Sequence, residues 1–409
     1  MSLFFYQITV RLYYAAAYIS SFFNLKAKQW IKGRKDIITQ LTNTITPHEK
    51  IYWFHCASLG EFEQGKPIID YIKAHNSNNK ILLTFFSPSG YELRKDYENA
   101  DYVFYLPIDT KKNAQQFISI VNPTHAFFIK YEFWYHYLFE LHNRSIPTYL
   151  ISGVFREQQP FFRWYGSTHR KMLNYFTFFF VQNTSSEKLL HELGYQNVIT
   201  TGDTRIDRVY ENSMHPQPVA LIKSFQKNKK IIVVGSSWEQ EEAIVAEFIH
   251  SSKKDYKFII APHDVSDKRI QQIESLLKSD YIKYSDAKSS NIGLHKTLII
   301  DNVGLLSNIY QYTDIAIVGG GFSGNLHNIL EPASFGNTIL FGPKYHKFHE
   351  AEALLQLSAA YSIKDEDDLL AVINHLEIDN HLEESQQKAL NYIKEGVGAT
   401  EMIIQQLKL

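Results

Sequence analysis

The 409-residue sequence predicts an α/β fold of two Rossmann-like domains facing a cleft, preceded by an N-terminal membrane-associating helix. Three observations lead there. Strand-length runs that are almost continuously apolar alternate with segments whose apolar residues recur at helical spacing, the pattern of parallel strands covered by helices on both faces. The alternation runs twice, broken at MHPQPVALIKSFQKNKK, which carries two prolines and a basic cluster. The chain is also too long for one ordinary core, so two domains of about 150–200 residues are expected.

In chain order, MSLFFYQITVRLYYAAAYISSFFNL comes first, rich in Phe, Tyr and Ile, followed by Lys26, Lys28, Lys32, Arg34 and Lys35. It lacks the short apolar core and cleavage site of a secretory signal. Arg11 interrupts the apolar run, and charge at mid-bilayer is costly, so a helix lying in the interface is expected rather than one that spans. Its basic flank would meet anionic lipid on the cytoplasmic side. A helix docked on the protein is the plainer alternative.

The first series of strands reads IYWFHCAS, KILLTFFS, DYVFYLP, THAFFIK, IPTYLIS, TFFFVQN and NVITTGD, with helical segments such as FEQGKPIIDYIKAH between them. The second reads IIVVGSS, YKFIIAPHD, KTLIID, DIAIVGGG and NTILFG. Strands alternating with helices imply βαβ units, whose ligands bind at the carboxyl ends of the strands. The expected partition is therefore 1–35 for the membrane-associating helix and flank, 36–213 for the first domain, 214–230 for the linker, and 231–409 for the second domain.

Composition excludes several classes. A net charge of −1 gives no global attraction to nucleic acid. A single cysteine, Cys56, rules out an internal disulfide framework. The seventeen histidines form no HExxH or Cys/His ligand spacing, so no metal or other cofactor is expected.

Two stretches carry chemistry. In HCASLGEFEQ a buried strand gives way to a helix, and Glu61 sits at the turn, where it either complements the helix start or acts as a base. In DIAIVGGGFSGNLHNILEPASFG a strand ends in Gly319, Gly320 and Gly321, and a helix is expected from Asn325 or Leu326. Glycines allow close backbone approach, and the helix start offers N–H groups to a phosphate. Glu331 is placed to accept from ribose hydroxyls. Gly319, Gly321 and Gly324 also satisfy GxGxxG, but Lys344 stands near where a dinucleotide site needs an acid, which disfavours NAD or FAD.

The segment GGGFSGNLHNILEPASFGNTILFGPKYHKF resembles the GGS…GGHNPLEPAA…GP…NF signature of the lipid A Kdo transferases, the 3-deoxy-D-manno-octulosonic acid transferases of glycosyltransferase family 30. HCASLGEFEQ resembles H-x-x-S-x-GE, YEFW resembles ETELWP, TGDTRIDRV resembles TGN-x-K-x-D, and GSSWEQEE resembles GSTHEGEE. DNVGLLSNIYQYTDIAIVGG resembles DTxGEL…Y…ADVAFVGG, so the likeness covers roughly residues 50–350 in order.

The resemblance implies the glycosyltransferase-B arrangement, with an acceptor-binding first domain and a CMP-sugar-binding second domain. It implies a CMP-Kdo donor, a lipid A precursor acceptor, inversion without a metal, and a place on the cytoplasmic face of the bacterial inner membrane. Glu61 matches the proposed general base and Glu132 the second acid of ETELWP. Ser236, Ser237, His263, Gly319, Gly320, Gly321, His327, Asn328 and Glu331 match the donor site. Lys130, Arg156 and Arg163 are the acceptor-side candidates, with Lys130 standing where the motif has its first glutamate.

Trp238 replaces the histidine of GSTH, Leu305 the glutamate of DTxGEL, and APHD lacks the arginine of PRH. Arg205 is a further cation candidate. The D-x-D within KDEDDLL reads as a helix start rather than a metal site. The alternative readings are a UDP-sugar transferase or epimerase of the same architecture and a non-catalytic membrane-bound glycolipid-binding protein.

Overall fold

A computed structural model describes residues 3–408. The chain forms two compact units: one runs to Asp207 and takes in the chain from Gly398, and the other is Arg208–Val397. The partition departs from the sequence expectation at both boundaries. Residues 214–230 fall inside the second unit, where Ala220–Gln226 is helical and buries Ile222 and Phe225. The last helix, Ala399–Leu407, belongs to the first unit, because Ile403 and Ile404 are buried in its core. Asp207 holds the start of that helix, accepting from Gly398 N–H at 2.6 Å and Thr400 N–H at 2.7 Å.

The first unit contains β1 Ile51–Cys56, β2 Lys80–Phe85, β3 Tyr102–Tyr105, β4 His125–Ile129, β5 Thr148–Gly153, β6 Phe178–Val181 and β7 Val198–Thr200. They form one sheet in the order 3-2-1-4-5-6-7, every pair parallel. β1 and β4 are central and buried on both faces, which explains their near-continuous apolar sequence. One face packs Trp53, Phe117, Phe128 and Tyr137; the other packs Phe54, Phe62, Ile68 and Phe127.

The second unit contains β8 Lys230–Ser237, β9 Tyr256–Pro262, β10 Tyr281–Lys283, β11 Thr297–Ile299, β12 Ile315–Val318, β13 Thr338–Phe341 and β14 Ala360–Ser362. The order is 10-11-9-8-12-13-14, again all parallel. In each sheet the strand order reverses beside the first strand, between β1 and β4 and between β8 and β12. A crevice opens at such a point beyond the carboxyl ends of the strands, where doubly wound folds bind ligands.

The N-terminal segment is two helices, Leu3–Ser20 and Leu25–Lys32, with Asn24 capping the second through Ala27 N–H at 3.1 Å. The first docks on the unit through Tyr6, whose hydroxyl donates to buried Asp109 at 2.5 Å. Asp109 also accepts from His136 and Tyr137 N–H, satisfying the start of the helix Tyr135–Asn143. Among the described residues no helix is long and apolar enough to cross a membrane. Arg34 corrects the expected basic flank: it is buried against Trp30, Phe86 and Tyr105 and donates to the carbonyls of Trp30, Phe86 and Leu106. Burial pulls its pKa down to about 9. Lys26, Lys28, Lys32 and Lys35 are exposed.

Candidate functional site

In the first unit the reversal point gathers Glu61 and Glu132. Glu61 lies in the first turn of the helix Leu59–His75, half-buried, and takes a hydrogen bond from the hydroxyl of Ser58. Ser58 is the N-cap residue, yet its side chain makes no capping bond to the helix backbone; it is turned to the carboxylate instead. Glu132 follows β4 and is buried. Both carboxylates act on Cys56 at the end of β1: burial first, then their charges, push its thiol well above the usual range. Cys56 therefore stays a protonated packing group.

A hydrogen-bonded chain orients Glu132. Trp134 Nε1 donates to Glu132 Oε2 at 2.6 Å, and His55 Nε2 lies 3.1 Å from the same oxygen. Trp134 Nε1 also lies 3.0 Å from His55 Nε2, and His55 Nδ1 lies 2.9 Å from Thr84 Oγ1. Trp53 Nε1 donates to Thr84 at 2.8 Å and closes the chain. Thr84 and Trp53 carried no sign of this role in the sequence, and His55 and Trp134 only their places in the motifs.

Lys130 adopts φ 66°, a left-handed conformation uncommon outside glycine, directly after β4. Its ammonium lies 5.3 Å from the Tyr131 ring, and the Arg156 guanidinium lies 5.9 Å from the same ring. Arg163 stands apart, exposed on the loop after Pro160–Phe162 beside Trp164, which is 91% exposed. Arg205 is engaged with Asp203 through Nε and Nη2, the latter at 2.6 Å. Burial would raise the Asp203 carboxyl, but Arg205 and, more weakly, Lys130 hold it below the usual range.

In the second unit the expected donor residues assemble at the ends of β8 and β12, but the glycines act differently from expectation. A Cβ on Gly319 would lie 2.0 Å from the carbonyl oxygen of Ser236, and one on Gly321 would lie 2.4 Å from Gly342 N. These residues are small because backbone packs on backbone. Gly319 N–H donates to Gly235 O, and Gly320 N–H donates to Glu241 Oε1 at 2.8 Å. The helix expected from Asn325 begins only at Leu330 and ends at Ser334. The reason is local: Asn325 and His327 N–H bond back to Gly320 and Gly319 carbonyls, folding 319–327 into a compact loop, and Gly324 sits at φ 80°.

Ser237 is also corrected. It is buried, and its hydroxyl donates to Glu242 Oε1 at 2.7 Å. Glu242 in turn pairs with Arg269. Burial pushes the Glu242 carboxyl up to about 7, against the Ser237 hydroxyl and the Arg269 charge. Ser236, in contrast, is half-buried with φ 50°, at the mouth of the loop.

Trp238, His263 and His327 form a three-ring stack, with centroids 4.7 Å and 4.6 Å apart. Trp238 Nε1 donates to His327 Nε2 at 3.2 Å, so the His327 hydrogen is on Nδ1. Burial, helped by the His263 charge, pulls His327 down to about 4, so the ring is neutral at physiological pH. Asn328 Nδ2 donates to Glu331 at 3.1 Å. Burial raises the Glu331 carboxyl, while Asn328 and the nearby Arg208 charge counter it. Arg208 escaped notice in the sequence because it lies over 100 residues from Glu331. The D-x-D of 365–367 starts the helix Glu366–Leu376, and Asp365 caps it by accepting from Asp368 N–H at 2.9 Å.

Residues 31–208 match the family model described as 3-deoxy-D-manno-octulosonic-acid transferase (kdotransferase). A bifunctional glycosyltransferase/methyltransferase of Fusobacterium nucleatum is 24% identical over 85% of this chain, and the matched region spans 57% of that protein's length. The 3-deoxy-D-manno-octulosonic acid transferase of Rickettsia felis is 26% identical over 88% of this chain and 80% of its own. Among solved structures, the UDP-GlcNAc 2-epimerase of Neisseria meningitidis bound to UDP-GlcNAc aligns with a TM-score of 0.62 at 16% identity, covering 88% of this chain and 99% of that one. MurG of Acinetobacter baumannii aligns with a TM-score of 0.58 at 11% identity, over 88% and 99%. At such identities the structural likeness speaks for the fold, two parallel-sheet α/β domains similar to those of glycosyltransferase-B enzymes.

Proposed function

We propose that the chain is a glycosyltransferase of the Kdo transferase family and that it transfers Kdo from CMP-Kdo to a lipid A precursor with inversion. The observation that carries the reading is Glu61. It stands at the carboxyl end of central β1, at the point where strand order reverses, with a hydroxyl donor fixed on its carboxylate. It also lies within the segment that matches the family model.

In this mechanism Glu61 takes the proton of the acceptor hydroxyl as that oxygen bonds to the anomeric carbon, and the bond from that carbon to the CMP phosphate oxygen breaks. Glu132, held by His55 and Trp134, orients the acceptor, with Lys130 and Arg156 as cations for its phosphate. On the donor side Ser236, His263, Asn328 and Glu331 hold the nucleotide. His327 Nδ1–H donates to the phosphate as charge develops there. The leaving group carries one phosphate, so fixed donors suffice and no metal is required.

The test is incubation with CMP-Kdo and a tetraacylated lipid A precursor, with products read by mass. A mass increase of one or more Kdo residues is expected; transfer only from a UDP-sugar would overturn the reading.

Attachment to the cytoplasmic face of the inner membrane is part of the proposal. The helix Leu3–Ser20 and the turn after it leave Phe4, Phe5, Leu12, Ile19, Phe22 and Phe23 exposed, beside the exposed lysines. An apolar face flanked by lysines suits an anionic lipid surface. Deleting 1–35 would be a poor test, since Trp30 and Arg34 are buried in the unit. Leu12→Glu with Phe23→Glu, at positions 65% and 89% exposed, is expected to weaken sedimentation with anionic vesicles by about tenfold or more. Unchanged sedimentation would remove the helix from the proposal.

A further inference from the structure

A cavity of about 410 Å³ lies between the N-terminal helix and the body of the first unit. Tyr6, Thr9, Val10 and Tyr13 of the helix line one side, and Trp30, Phe86, Leu106, Pro107 and Trp134 line the other. Its size is that of a small-ligand site, and its wall is built of rings in mutual contact: Phe86 stacks on Trp134 at 5.0 Å and packs edge-on against Trp30 at 5.6 Å. Glu132, the carboxylate that Trp134 and His55 contact, lines it too, as does Asp109, which is held by Tyr6. The helix that roofs the cavity carries exposed Phe4, Phe5 and Leu12 on its other faces.

We propose that this cavity is a subsite for one acyl chain of the lipid acceptor, with the sugar end of the acceptor at Glu132. The inference rests on the lipid-acceptor reading above and adds where a chain goes. A mostly apolar slot lined also by the Glu132 carboxylate matches an amphiphile whose chain is apolar and whose head offers hydroxyls. A sugar or nucleotide would leave its hydroxyls without partners against these rings. The roofing helix also carries exposed apolar residues, which suit a helix placed near a bilayer from which a chain is drawn. Because Trp134 contacts both the slot and Glu132, an occupied slot also fixes the acid.

Filling the slot tests this. Val10→Phe places a ring inside the cavity. Thr9→Phe, at an exposed helix position lining the same cavity, keeps the test open if Val10→Phe unsettles the helix. Two readouts are compared on the full chain. Quenching of tryptophan fluorescence by a doxyl-labelled fatty acid needs no transfer activity. The ratio of kcat/KM for an acylated acceptor to that for its deacylated counterpart reads the subsite in catalysis. Saturable quenching that weakens about tenfold in either variant, with the ratio falling about tenfold, is expected. Equal quenching in wild type and both variants, or an equal loss on both acceptors, would overturn the subsite. Variant-sensitive quenching in a protein that transfers no Kdo would keep the chain site and overturn the donor reading instead.

Discussion

Glu61→Gln is expected to lower kcat for Kdo transfer by about 10²–10⁴-fold, the range a positioned general base supplies, while CMP still binds. The substitution is nearly isosteric. The amide oxygen can still accept from the Ser58 hydroxyl that now donates to the carboxylate, so the helix start is preserved. What is lost is the capacity to take a proton. The donor site lies in the other unit, on β8 and β12, so the KM for CMP-Kdo should move by no more than a few-fold. Steady-state kinetics with CMP titration read both. Near wild-type turnover would show that Glu61 serves only its helix; loss of CMP affinity as well would point to a folding defect.

Arg269→Met is expected to cost about 3–5 kcal/mol above neutral pH, as removing one partner of a buried ion pair typically does. Arg269 is 6% exposed and pairs with Glu242, whose carboxyl already sits at about 7 because burial outweighs its partners. A carboxyl raised above its unfolded value of about 4.3 contributes stability that is fully present below that pH and lost as pH rises through about 7. Without Arg269 the folded value climbs further. The wild type can then ionise Glu242 above about pH 7 and the variant cannot, so the deficit widens there. Chemical denaturation at pH 5.5 and 8.5 checks this, with the larger deficit expected at 8.5. An equal deficit at both would mean that packing, not charge, is what Arg269 provides. Ser237 also contacts Glu242, so the same variant should disturb the end of β8.

The strands of the first sheet were all legible, the inner ones because residues buried on both faces leave an unbroken apolar run. In the second sheet β10 and β14 were not. Each is three residues long and lies at an edge, where burial is incomplete and leaves little pattern. The glycine loop was legible as a motif but misread as a helix start, since nothing local shows that Asn325 and His327 bond back to Gly320 and Gly319. Ser237 looked like a free donor because its acceptor belongs to the next helix.

By itself the sequence determined two parallel α/β domains, the carboxyl-end positions of Glu61 and the glycine loop, and the resemblance to the Kdo transferases. These follow from periodicity and short motifs, which act over one strand and one turn. Only the tertiary structure decided that the last helix returns to the first unit, that Arg34 is buried among rings, and that Trp53, Thr84, His55 and Trp134 converge on Glu132. It alone decided that a cavity lies under the N-terminal helix. Each of these depends on residues from about 30 to more than 300 positions apart meeting in space, and burial and hydrogen bonding between such residues leave no periodicity to read.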